Sequence, residues 1–159
     1  MRPHNPIVVA LATALLLAAC GAEPPTRAAD SSPPLQEAIA RVGDVSMRAS
    51  VVQTSMLGAA VASQYQIRRD ANTVLLLVAV RQGADGAETA LPAQVTATAT
   101  DLSGQRQSIA MRELRVGDLL DYVGTVQTTL PDTLRFDVTI VREGGATSTM
   151  QFTREFYPR

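Results

Sequence analysis

From Gly43 to the C-terminus the apolar residues of this chain fall mostly at every second position. That is the spacing of a strand with one face buried. Val45 to Thr54 is the first such segment, and Thr73 to Arg81, "TVLLLVAVR", is nearly continuous and reads as a strand buried on both faces. Ala93 to Asp101 sets Val95, Ala97 and Ala99 inward against outward threonines. A turn at Leu102-Ser103-Gly104-Gln105 leads to a return strand over Arg106 to Leu114, with Ile109 and Met111 inward. Leu119 to Thr129 carries Leu120, Tyr122 and Val126 on one face, which places Asp121 on the other, exposed one. After a turn at Leu130-Pro131-Asp132 comes the strongest alternation, Leu134, Phe136, Val138 and Ile140. Beyond Glu143-Gly144-Gly145, Met150, Phe152 and Phe156 lie on the last strand. Helical spacing occurs twice. Leu35 to Val42 reads as a short helix ending at Gly43 or as the end of a tether. Ser55 to Gln64 reads as one to two turns capped by Ser55, with Leu57, Ala60 and Val61 as its apolar stripe. These segments predict a mostly β protein: an immunoglobulin-like antiparallel β-sandwich of about seven strands with one short helix.

The N-terminal 42 residues follow a different pattern. Arg2 precedes an apolar run from Ile7 to Leu17, too short to cross a bilayer but suited to a secretion signal. The run ends in Leu17-Ala18-Ala19-Cys20-Gly21, which resembles the bacterial lipobox. The resemblance implies cleavage before Cys20 and diacylglyceration of its thiol. Two or three acyl chains on one residue hold far more firmly than the marginal grip of one. Gly21, rather than aspartate, stands at the second mature position, which by enteric sorting favours the outer membrane over the inner. The tract to Pro34 holds Pro24-Pro25, Ser31-Ser32 and Pro33-Pro34 and buries too little to fold by itself. The expected organisation is a signal peptide over 1–19, a lipidated Cys20 and tether over 20–42, and a sandwich domain over 43–159.

Composition narrows the chemistry. The only histidine is His4 and the only cysteine is Cys20; lysine and tryptophan are absent. Once the signal is removed, no imidazole, amine side chain or free thiol remains. Ser-His-Asp and Cys-His catalysis, Schiff-base lysines, disulfides and His/Cys zinc sites are thereby excluded. Carboxylate chemistry survives, but no calcium loop and no Gly-rich phosphate loop is present. The mature chain would carry 13 arginines against 15 carboxylates, with no basic run to suggest nucleic acid. The expectation is therefore a protein without a cofactor that is not an enzyme. Two tyrosines, Tyr65 and Tyr122, read as interface anchors or as core tyrosines with a hydroxyl at the surface. Arg68, Arg69 and Asn72, with Tyr122, are the candidate binding residues; an arginine run of this kind is more often a solvated turn.

Several short pieces, in order along the chain, resemble the proteobacterial envelope family of the domain of unknown function 4426. They are Gly43-Asp44, Thr54-Ser55, Val61-Ala62 with Tyr65 and Ile67, Arg68-Arg69 with Asn72, "TATDLSGQ" from Thr98, "REL" ahead of Gly117-Asp118, "TLRFDV" from Thr133 and the closing "FYP". The family pattern has His-Tyr-Asn where this chain has Arg48-Ala49-Ser50, and a tyrosine where Asp121 stands. The resemblance implies a secreted single domain and supplies no activity. Three functions are open. The first is a periplasmic protein-binding module on a lipid anchor, whose concrete version is an immunity protein neutralising a periplasm-acting toxin. The second is an envelope assembly or chaperone-like accessory. The third is a carboxylate-pair enzyme.

Overall fold

The computed structural model describes residues 36–159. The expected signal peptide, Cys20 and the tether up to residue 35 lie outside the described residues. The described chain is an antiparallel β-sandwich, as its alternation predicts. Its strands are β1 (Gln36–Val42), β2 (Val45–Gln53), β3 (Thr73–Gln82), β4 (Thr89–Ala90), β5 (Ala93–Thr100), β6 (Arg106–Ile109), β7 (Arg112–Val116), β8 (Leu119–Gln127), β9 (Asp132–Arg142) and β10 (Thr147–Phe156). One sheet runs β1-β2-β3-β8-β7, with β4 also on β3, and the other runs β10-β9-β5-β6. The inner faces pack Val74, Leu76, Val78 and Val80 of β3 against Leu134, Phe136, Val138 and Ile140 of β9. Phe136 stacks on Phe152 with ring centroids 5.2 Å apart and meets Phe156 edge-on at 6.5 Å.

Three expectations are corrected. Leu35 to Val42 contributes no helix: Gln36–Val42 is a strand paired along its length with β2, so the sandwich begins before the expected boundary at residue 43. Ala38 and Ala40 pack on the core while Ile39 stays 56% exposed. In so short and alanine-rich a stretch the two periodicities overlap, and the neighbouring strand decides between them. The segment after β2 forms a 3-10 turn over Thr54–Met56 and a helix α1 over Ala59–Gln64. No side chain caps α1, whose N-cap is Gly58, and its buried residue is Ala62; Ala60 and Val61 face solvent. Finally, the single return strand over Arg106 to Leu114 is two strands in different sheets. Ile109 and Leu114 are an odd number of residues apart, so one straight strand would point them to opposite faces. The chain instead crosses from one sheet to the other at Ala110-Met111. Ile109 enters the main core and Leu114 a second cluster with Leu75 and Val123.

That second cluster lies on the outer face of the larger sheet, where Leu57, Tyr65 and Ile67 cover part of it. It explains the unbroken apolar run in β3, which is buried on both sides. The crossing needs Gly124. A Cβ there would sit 2.6 Å from Ile109 Cγ2 and 2.9 Å from the Ala110 carbonyl oxygen.

Candidate functional site

The crossing at Ala110-Met111 leaves β7 beside β8 only from Leu119 to Val123. Beyond Val123 no strand among the described residues pairs with β8 on that side, although Gln107 of β6 donates to the Gln127 carbonyl at 3.0 Å. A cavity of about 390 Å³ opens there, lined by Gly124, Thr125 and Gln127 of β8, by Arg112, and by Gln66, Arg68 and Asp70 of the segment after α1.

Local bonding builds the wall formed by that segment. α1 closes with Gln66 N–H donating to the Ser63 carbonyl at 3.0 Å and Ile67 N–H to the Ala62 carbonyl at 2.8 Å. This Schellman closure requires a left-handed residue, usually glycine, and here Gln66 takes it at φ 53°. The following turn is pinned to the end of β2. Thr54, fully buried, donates its hydroxyl to the Asp70 carbonyl at 3.0 Å and accepts from Asp70 N–H at 2.9 Å. The Asp70 carboxylate accepts from Asn72 N–H at 2.8 Å. That bond, assisted by Arg68 and Thr73, holds its carboxyl below the usual carboxylate range. The turn is therefore tightest above the ordinary aspartate pKa and loosens as pH falls through the lowered one.

The candidate residues part company in this frame. Arg68 lines the cavity, its side chain 89% exposed and 3.4 Å from the Asp70 carboxylate. Arg69 turns back and donates to the Ser55 carbonyl at 2.9 Å. Asn72 lies outside this cavity, in a shallow groove with Asp101 and Gln105. Tyr122 is a core residue: it is 3% exposed, and its hydroxyl accepts from Ala93 N–H at 2.7 Å, tying the two sheets together. Arg112, which donates to the Tyr65 carbonyl, is the cationic wall that the sequence did not single out. Nothing in its local sequence marks it, because the sheet crossing brings it there.

A second polar group lies on the same outer face. Arg48 of β2 and Asp121 of β8 stand on either side of Ala79 in one cross-strand row. They are thus about 10 Å apart at the usual strand spacing. Asp121 is not the exposed residue expected: it pairs with Arg81, and their side chains are 15% and 11% exposed. Arg81 also donates to the Leu120 carbonyl at 2.9 Å. Glu88 accepts from Ser46 at 2.8 Å and from Arg48 at 3.1 Å. Both carboxylates are neutralised by arginine and so suit a structural role better than cation binding.

A comparison with curated proteins gave no match. Among solved structures, the chain is similar to a DUF4426-family protein from Pseudomonas aeruginosa PAO1, with 24% identity, 77% of this chain and 96% of that chain covered, and a TM-score of 0.66. It is also similar in fold to a copper-bound variant of FetP from uropathogenic Escherichia coli strain F11, with 9% identity, coverage of 77% and 95%, and a TM-score of 0.51. The sequence profile of the domain of unknown function DUF4426 matches residues 39–159, from the middle of β1 through the whole sandwich, and the chain belongs to that family.

Proposed function

We propose that this protein is a lipid-anchored envelope protein facing the periplasm, more on the outer than the inner membrane, whose sandwich is a non-enzymatic protein-binding module. The observation that carries the reading is the open end of β8 beneath Arg68 and Arg112. An extended segment of a partner can align with such an edge through its main chain, while pockets beside the edge select side chains. Two arginines against the single carboxylate of Asp70 favour an acidic segment. An immunity protein and an envelope accessory would use the same surface and differ in partner: a periplasm-acting toxin for the first, a resident envelope protein for the second. Among the described residues no three His, Cys, Asp or Glu side chains gather, and the FetP likeness is one of fold alone.

The test is capture from envelope extract by the purified mature chain, followed by mass spectrometry and titration with the captured partner. The expected result is saturation at a fixed ratio, weakened at least tenfold by Arg68→Glu with Arg112→Glu while the circular dichroism spectrum stays that of the folded β protein. Binding indifferent to both charges, or turnover of a substrate at far below equimolar protein, would overturn the reading. The anchor has its own test. Cys20→Ser should lose all label from a fatty-acid analogue and leave the membrane fraction; label retained by the variant would refute lipidation at Cys20.

A further inference from the structure

The free edge of β1 is self-complementary, and we infer that two copies of this chain join there through antiparallel β1–β1 pairing across a two-fold axis. Among the described residues β1 pairs only with β2, so its other side has no strand. The hairpin fixes which backbone groups face that side. The two-residue turn at Gly43-Asp44 makes Val42 and Val45 the first opposed pair. In such a hairpin the first pair exchanges hydrogen bonds. Alternation then turns the N–H and C=O groups of Glu37, Ile39 and Arg41 outward. The Glu37 carbonyl agrees: it accepts at 3.4 Å from Arg154 of β10 in the other sheet, an exposed bond that the pairing exchanges for the Arg41 N–H of the second copy.

The side chains of these three residues share the exposed outer face of the sheet. Ile39 is 56% exposed. Arg41 is spent only on a surface pair with Asp85, whose side chain is 70% exposed. Such a pair contributes little and is readily exchanged. Glu37 has no ion partner among the described residues.

Pairing β1 with its own copy about Ile39 sets Ile39 against Ile39 and each Glu37 against the Arg41 of the other copy. All three outward-facing positions are then matched, twice by opposite charge and once by apolar contact. Cross-strand pairs of these kinds stabilise a sheet, and directly opposed like charges destabilise it. Parallel pairing in register would set Glu37 on Glu37 and Arg41 on Arg41. An antiparallel shift by two residues either way would lose both charge pairs. The favoured register joins the larger sheets of the two copies into one and removes an exposed edge that would otherwise invite uncontrolled pairing. The surface is separate from the cavity beside β8 and does not depend on what that cavity binds.

Cysteine cross-linking of the full-length protein, extracted in mild detergent, tests the register. Opposed residues of a hydrogen-bonded antiparallel pair have Cα atoms about 5.5 Å apart and Cβ atoms toward the wide end of about 4.5–5.5 Å, too far for an unstrained disulfide but within reach of a short bifunctional thiol reagent. Ile39→Cys treated with that reagent should therefore give a cross-linked dimer absent from the wild-type chain, whose only cysteine is Cys20. Glu37→Cys or Arg41→Cys alone should give none, and the two variants co-expressed should cross-link to each other. In light scattering the wild type should weigh two chains. Glu37→Arg should shift it toward one chain, and Glu37→Arg with Arg41→Glu should restore two. Failure of Ile39→Cys to cross-link beyond the wild type, with an unchanged circular dichroism spectrum, would overturn the inference. So would a wild type that weighs one chain, or an Ile39→Cys adduct formed with a different protein.

Discussion

Phe136→Ala is expected to remove about 3 to 5 kcal/mol of folding stability, the usual loss for truncating a fully buried phenylalanine. Phe136 has no solvent exposure and lies at the centre of the strongest alternation in the chain, on β9 between β5 and β10. Its ring stacks on Phe152 and meets the edge of Phe156. The substitution would leave a void among all three of the chain's phenylalanines, and the paired strands on both sides of β9 limit its collapse. Phe152→Ala should cost less, because its ring keeps 9% exposure and borders Arg154. Denaturant unfolding followed by circular dichroism measures both. A loss below about 1 kcal/mol for Phe136→Ala would place the residue outside the core.

Asp121→Ala is expected to be nearly as damaging, at about 2 to 4 kcal/mol, because it strands the Arg81 guanidinium in a largely desolvated place. Arg81 would keep its bond to the Leu120 carbonyl but lose its counter-charge. The comparison with Glu88 separates charge burial from mere proximity. The side chain of Arg48, the partner of Glu88, is 30% exposed, so water can take over when Glu88 is removed. Glu88→Ala should cost only about 1 kcal/mol. Replacing both members, with Arg81→Met and Asp121→Leu, should recover most of the loss, since two apolar side chains leave no charge unpaired. Equal losses for Asp121→Ala and for that double variant would show that shape, not charge, accounts for the effect.

The strand alternation was legible along β5 and β9 because each of these strands buries one face, and a period of two leaves a trace in any sequence. The inner positions of β5, β8 and β9 are where the alternation puts them. The candidate site was legible only in part. Arg68 stood out as a charge in a polar turn, and it does line the cavity. Arg69 stood out equally, but its guanidinium is spent on the Ser55 carbonyl. Whether an arginine faces solvent or a nearby carbonyl depends on the path of the turn, which here follows from Thr54 binding Asp70 across a gap of 16 residues. Tyr122 reads the same in sequence whether its hydroxyl meets water or a backbone amide. Only the distance between the sheets, set by the core side chains, brings Ala93 N–H to it.

Local pattern by itself determined the fold class, and residue types alone leave residues 43–159 without histidine, lysine or cysteine. Those follow from residue types and from a period confined to neighbouring positions. The tertiary structure alone decided three things. The stretch before Gly43 became a strand because β2 offers an edge to pair with. The segment after residue 106 was divided between sheets because Ile109 and Leu114 must be buried on different sides of one layer. And the charged residues were sorted into those that close the fold and those that stay exposed at its surface. Arg81, Asp121 and Arg112 owe their roles to strands that are distant in sequence and adjacent in space, and no local period encodes which strands will be neighbours.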